Sequence, residues 1–230
     1  MTNTISDWAD IARRFHGIYV AAVSDVLDEM GLRHQYLNHR FRPLDSSQKI
    51  AGPAFTIIGG PSAETDTEKR IGPRVIDQFR PGAVAVYDTQ NTEGVGVWGE
   101  LWAASAAQRG CVGAVVDGGV RDTGFMREAG FPIFYRFTSP GDALGRFTVI
   151  DYECPVSVGG IRVSPGDYVF GDEDGIVIIP SELTSEVIDK AEQVSRNENR
   201  LRAALAITPP LRLQCRLSKR VESVPVRLLL

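Results

Sequence analysis

The stretch "EGVGVWGELWAASAAQRGCVGAVVDGGVRD" (residues 93–122) decides how this chain folds. Its first half spells Gly94-x-Gly96-x-x-Gly99 and runs into alanine-rich sequence, the spacing of a dinucleotide-binding fingerprint. That site needs its glycines directly after a strand, with the last glycine opening a helix whose free amides meet a diphosphate. Here "AVAVYD" (83–88) reads as the strand, but "TQNTE" (89–93) intervenes before Gly94. Glu100 then opens the helix, where a carboxylate would repel a diphosphate. Asp117, 18 residues past Gly99, only mimics the ribose-binding acid of that motif. What survives is a strand (83–88), a glycine loop, a helix from about Glu100 to Arg109 stopped by Gly110, and a strand (112–119).

Such a βαβ crossover is right-handed almost always, and its two strands run parallel. The loops that leave both strands then share one edge of the sheet, the edge where open parallel sheets bind ligands. One loop carries Gly99 and Glu100, the other Arg121-Asp122. At the start of the helix the amides of Leu101 and Trp102 have no partner within it, and with the dipole they favour a small anion such as a carboxylate. Two carboxylates, one guanidinium and a helix terminus can thus converge. By itself Glu100 could be simple dipole complementation, and Arg121-Asp122 a solvated ion pair. Convergence is what favours a site.

Outward from this unit, Trp8, Ile11, Ala12 and Phe15 recur at helical spacing and stop at Gly17. Val20, Val23, Leu27 and Met30 mark a second helix, stopped by Gly31. Residues 32–48 read as irregular, "AGPAFTIIGG" (51–60) as a strand, 67–79 as a helix, and "FPIFYRF" (131–137) as a strand after a short helix. From 147 to 179, Gly-Gly, Pro-Gly and Asp-Gly turns separate short strands, an antiparallel signature. A long helix follows Pro180 to about Ala206, with Leu183, Val187, Ala191, Val194, Leu201 and Leu205 on one face. The segment 209–230 is basic and reads as an extension that is loose or packed on another subunit. Residues 1–208 read as one layered α/β domain.

Bulk properties narrow the function. The 230 residues carry a formal net charge of −4 without a long basic block, which disfavours nucleic-acid binding. No apolar run approaches a membrane span, and the N-terminus lacks a signal pattern, so a cytoplasmic protein is expected. Cys111, Cys154 and Cys215 are odd in number and far apart, and His16, His34 and His39 cluster near the N-terminus. Neither a disulfide framework nor a His/Cys zinc site follows. A bound metal would be held by carboxylates, which suits hard ions.

At "WGELWAASAAQRGCVGAVVDGGVRD" (98–122) the chain resembles the RraA-like family, which includes the class II pyruvate aldolases. The family motif is an acid, twenty residues, then Arg-Asp; here Glu100 is followed by 101–120 and Arg121-Asp122. "VSDVLDEMG" (23–31), "GPAFTI" (52–57), "RPGAVAVYD" (80–88) and "PGDYVFGDEDGIVIIP" (165–180) resemble further family segments in order. The resemblance implies an αββα-layered, swivelling-domain-like fold with a mixed sheet, assembled as a homotrimer or hexamer. It also implies a divalent metal, magnesium foremost and manganese next, with Asp122 as direct ligand and Glu100 acting through a water.

In the same resemblance Arg121 contacts the pyruvyl part of a 2-oxo acid, and the backbone at Gly99, Leu101 and Trp102 receives its carboxylate. Glu198, on the C-terminal helix, is the candidate acid reaching a neighbouring subunit's site. The implied activity is retro-aldol cleavage of 4-hydroxy-2-oxo acids to pyruvate, with oxaloacetate decarboxylation from the same enolate. No lysine lies in either loop, which disfavours a Schiff-base aldolase. Two features depart from the family pattern. Glu100 stands where Asp is common, and Phe125 stands three residues after the Asp, where many members carry an acid or amide. Some relatives bear a methyltransferase name, but no glycine-rich S-adenosylmethionine loop directly follows a strand here. The alternative function is a non-enzymatic RraA-like regulator that binds a ribonuclease or another protein partner.

Overall fold

A computed structural model describes residues 5–207, and side chains from 8 to 203. The 209–230 extension and the Leu205 side chain lie outside these. Helices α1 (Ile5–His16) and α2 (Val20–Glu29) lead into β1 (Arg42–Pro43) and the long β2 (Ile50–Pro61). A short α3 (Gly72–Ile76) precedes β3 (Val84–Asp88), β4 (Gly96–Trp98), α4 (Glu100–Gln108), β5 (Gly113–Val120), α5 (Thr123–Glu128) and β6 (Ile133–Thr138). Then come β7 (Phe147–Tyr152), β8 (Val156–Val158), β9 (Ile161–Val163), β10 (Tyr168–Asp172), β11 (Gly175–Ile179) and the terminal α6 (Thr184–Ile207).

The main sheet runs β1-β6-β5-β3-β2-β10-β11, with β4 attached to β5 and β7 to β2. Strands β2, β3, β5 and β6 are parallel, whereas β10, β11 and β7 join antiparallel. β2 is long enough to serve both halves: Ile50–Pro53 pairs with β10, and Ala54–Ile58 pairs with β3. Period-2 alternation then sorts the side chains into three apolar layers. Val84, Val86, Val115 and Phe134 point to an interior layer shared with Val169, Ile176 and Ile178. Ala85, Tyr87, Ala114 and Val116 point the other way, onto Ala103, Ala106 and Met126 of α4 and α5. Tyr168, Phe170, Val177 and Ile179 pack against α1, α2 and α6 through Phe15, Val23, Leu27 and Val187. Helices outside and sheet halves inside give the expected αββα layering. Each fully buried Val, Leu or Phe contributes about 1.5–3 kcal/mol.

Two local expectations fail. The helix expected over 67–79 is a 3-10 turn (Thr67–Lys69) followed by α3 of five residues. Gly72-Pro73 explains the break: proline cannot donate to the preceding turn and is accommodated at the start of a new helix. The glycine loop also contains an unexpected strand, β4, parallel to the end of β5. A three-residue strand carries too little pattern to read, and its pairing depends on Gly119, whose missing side chain leaves room for the Val95 carbonyl.

Candidate active site

The βαβ unit is built as its sequence implies, and the loops after β4 and β5 meet. Gly99 caps α4 in extended conformation, with no side chain to cap the helix. Its Cα faces the next loop so closely that a Cβ would stand 2.5 Å from Asp122 Oδ2. The Glu100 amide donates a long bond, 3.4 Å, to that same oxygen. The first helical bond of α4 is Ala103 N–H to the Gly99 carbonyl, 3.0 Å. Among the described residues the amides of Leu101 and Trp102 find no acceptor, so the helix terminus is open.

Asp122 sits at the start of α5 in the left-handed region, φ 56° and ψ 32°. Short polar residues tolerate this conformation, at a cost of roughly 1 kcal/mol. The carboxylate does not cap its own helix. It lies against α4, where Oδ2 accepts from Arg121 Nε at 3.2 Å as well as from Glu100. Oδ1 has no hydrogen-bond partner among the described residues. Arg121 is anchored by its amide to the Trp98 carbonyl at 2.9 Å, and its Nη1 donates to Asp142 at 3.0 Å. The side chains of Arg121 and Asp122 remain about one-third exposed, at 36% and 33%. Leu101, which follows Glu100 on α4, and Phe125, three residues after Asp122 on α5, are both largely exposed.

Gly99, Glu100, Leu101, Trp102, Arg121 and Asp122 therefore meet at one rim of the sheet. Glu198 does not join them within the chain. It lies on α6, where it accepts from the Tyr19 hydroxyl and from Arg202 Nη2 at 2.8 Å. A cleft of about 410 Å³ lies near this second group, between Tyr19, Lys49, Asp172 and Arg202. Of its charged groups, Lys49 donates to the Ile18 carbonyl, Asp172 accepts from the Val20 and Asp174 amides, and Arg202 pairs with Glu198. Asp142 was not legible as part of the site. It lies in a loop 21 residues from Arg121, and only the tertiary fold brings it there.

Among the described residues no three His, Cys, Asp or Glu side chains gather as a metal cage. The donor set at the rim still fits one class of ion. Magnesium commonly keeps several waters and takes only one or two protein carboxylates. Asp122, with one unengaged carboxylate oxygen, meets that requirement as a single protein ligand, and the Glu100 amide lies 3.4 Å from its other oxygen; nitrogen and sulfur ligands for a zinc site do not gather there.

Next to the rim lies a cavity of about 230 Å³. Ile76, Tyr87, Val97, Trp102, Phe147 and Val149 make its walls apolar, and Arg70 is its one charged lining residue. Two of its residues connect it to the rim: Trp102, whose amide is open at the start of α4, and Ala143, which follows Asp142 in the chain. Burial pushes the Tyr87 phenol well above its ordinary range, opposed by the Arg70 charge, so it stays neutral. Cys111, pushed up to about 12 by burial, is an inert thiol.

The chain as a whole is similar to known proteins. Protein DlpA of Legionella pneumophila is 31% identical over 186 residues, 81% of this chain but only 30% of DlpA. The chain thus spans under a third of that relative. A protein of Halalkalibacterium halodurans named "Putative 4-hydroxy-4-methyl-2-oxoglutarate aldolase" is 29% identical, with 86% of this chain and 89% of that one covered. The solved structure of Streptomyces coelicolor RraAS2 is titled an unusual member of the RNase ES inhibitor RraA protein family. It superposes with a TM-score of 0.75 at 29% identity, covering 84% of this chain and 96% of that one. With the RraA-like model, described as Aldolase/RraA, matching residues 20–178, the chain belongs to the RraA-like family.

Proposed function

We propose that the chain is a class II pyruvate aldolase, a divalent-metal-dependent lyase. It cleaves 4-hydroxy-2-oxo acids of the 4-hydroxy-4-methyl-2-oxoglutarate type to pyruvate and decarboxylates oxaloacetate as a side activity. One observation supports this reading: Asp122 Oδ2 is held by the Arg121 guanidinium and the Glu100 amide at the start of α4, while Oδ1 has no partner among the described residues. The name of the Halalkalibacterium relative supports it.

Asp122 would hold the ion, with Glu100 reaching it through a water, and when bound the ion supplies Lewis-acid charge at the substrate's keto oxygen. The open amides of Leu101 and Trp102 receive the substrate carboxylate, helped by the helix dipole. Arg121, steadied by Asp142, faces the keto oxygen. In the retro-aldol step the C4 hydroxyl passes its proton to water, its oxygen becomes the carbonyl of the released product, and the C3–C4 bond breaks. The electron pair becomes the pyruvate enolate, which takes a proton at C3. Negative charge grows on the keto oxygen, where one well-placed donor such as Arg121 is worth about 3–4 kcal/mol. Oxaloacetate loses carbon dioxide to the same enolate and needs no base. Glu198 of a neighbouring copy completes the site in a homotrimer or hexamer, with Tyr19 and Arg202 releasing it on assembly.

The test is pyruvate release from 4-hydroxy-4-methyl-2-oxoglutarate and from oxaloacetate, with magnesium, with manganese and with chelator. Metal-dependent turnover lost in Asp122→Ala is expected. No turnover of either acid under any metal overturns the proposal. The likeness to RraAS2 favours a second reading, a regulator that binds a ribonuclease. That reading expects ribonuclease inhibition unchanged in Asp122→Ala, and no lyase activity.

A further inference from the structure

We infer that Arg70 selects the far end of the substrate, drawing a carboxylate or similar anion into the apolar cavity beside the rim. The inference rests on the proposal that Asp122, Arg121 and the amides of α4 hold the 2-oxo acid end.

The cavity is walled by side chains without charge, and Arg70 is the exception. Arg70 is half-buried, and among the described residues its guanidinium makes one hydrogen bond, from Nη2 to the Phe147 carbonyl at 3.3 Å. No carboxylate lies within 4 Å of it among the described residues. Glu64 and Asp66 face Lys69 at 3.6 and 3.4 Å, and Glu68, the acid nearest in sequence, makes no ion pair with Arg70. A guanidinium holds five N–H donors in a fixed fork that matches a carboxylate. A half-buried charge with most of those donors unused, facing an apolar cavity, is an anion receptor more readily than a structural strut.

The cavity is placed to take the part of a ligand that the rim does not hold. Trp102 belongs to both, its open amide at the rim and its indole in the cavity wall. Val97 precedes Trp98, whose carbonyl anchors Arg121. Ala143 follows Asp142, which steadies the same guanidinium. Gly72 seats the segment bearing Arg70 directly on Trp102, since a Cβ there would lie 3.3 Å from Cζ2. A ligand with a pyruvyl head on α4 and an anionic tail would thus meet Arg121 at one end and Arg70 at the other. The volume of about 230 Å³ admits a short chain with a terminal carboxylate.

Calorimetric titration with magnesium tests this without turnover. The probes are 2-oxoglutarate, which has a distal carboxylate, and 2-oxopentanoate, which has the same chain length without one. The wild type is expected to prefer 2-oxoglutarate by roughly 10- to 100-fold, the range for a hydrogen-bonded charge. Arg70→Met is expected to erase that preference while leaving 2-oxopentanoate affinity unchanged, and Arg70→Lys to restore part of it. Preference unchanged in Arg70→Met, or equal weakening of both probes, overturns the role of Arg70 alone. Failure of both probes to bind the wild type overturns the reading of the rim and this inference with it.

Discussion

Asp117 lies within β5 and Asp122 just past its end, five residues on, and the fold treats them in opposite ways. Asp117 is closed. Its Oδ1 meets Arg136 Nη1 at 3.1 Å and its Oδ2 takes the Gly159 amide at 2.8 Å. Both side chains of that ion pair are nearly buried, 10% and 11% exposed. The pair ties the β8–β9 hairpin to the sheet and has no capacity left for a ligand. Asp122 is open: its backbone is left-handed, its contacts are long, and one carboxylate oxygen is unused. The residue type is the same; what differs is whether the surrounding groups exhaust it. A closed carboxylate stabilises the fold, while an open one held in place at some backbone cost is a candidate for chemistry.

Substitutions can break this contrast. The largest effect on stability is expected from Asp117→Ala, which leaves the Arg136 guanidinium buried without its carboxylate. A loss of about 3–5 kcal/mol follows, measured by urea denaturation. Asp122→Ala should leave the urea midpoint nearly unchanged yet lower the rate of pyruvate release by a hundredfold or more, about 3 kcal/mol on the barrier. Equal stability losses in the two variants would erase the distinction between them. Gly99→Ala is a finer probe, since its Cβ must push Asp122 Oδ2 aside from 2.5 Å. Activity is expected to fall by about tenfold to a hundredfold with the fold intact, because small misplacements cost that much. Unchanged kinetics would mean that the position of Asp122 is not critical.

The smallest effect concerns a closed contact on the other helical layer. Arg14 on α1 donates to Glu192 and Asp189 on α6, at 2.8 and 2.6 Å. The hydrogen bond from Arg14, more than the opposed burial, holds the Glu192 carboxyl below its ordinary value. A depressed folded-state value means that this stabilisation is complete above pH about 4.5 and is lost as pH falls through the lower value. Thermal melts from pH 7 down to 3 should therefore drop less in Glu192→Gln than in the wild type. Pyruvate release measured above pH 5 should not respond to that substitution.

Much of the rim was legible because its signals are local. Gly99 and Glu100 open a helix, Gly110 ends it, and the right-handed crossover brings the following loop with Arg121-Asp122 to the same edge. The break at Gly72-Pro73 was also written in the sequence, but the apolar spacing over 67–79 obscured it. Other features carry no local signal. β4 is three residues long and exists through its pairing with β5. Asp142 and Arg70 lie in loops distant in sequence from the residues they serve, and nothing in their neighbourhood marks the approach.

The sequence by itself determined the order of elements, the alternation that sorts side chains among three apolar layers, and the spacing that puts Glu100 and Arg121-Asp122 on adjacent loops. These follow from the helix and strand periods and from the handedness of a crossover, which act over short stretches of chain. Only the tertiary structure decided that Asp117 is satisfied and Asp122 is not, that Asp142 steadies Arg121, and that Arg70 faces a cavity walled by Trp102. Satisfaction of a polar group and the shape of a cavity are sums over neighbours remote in sequence, which no local period encodes.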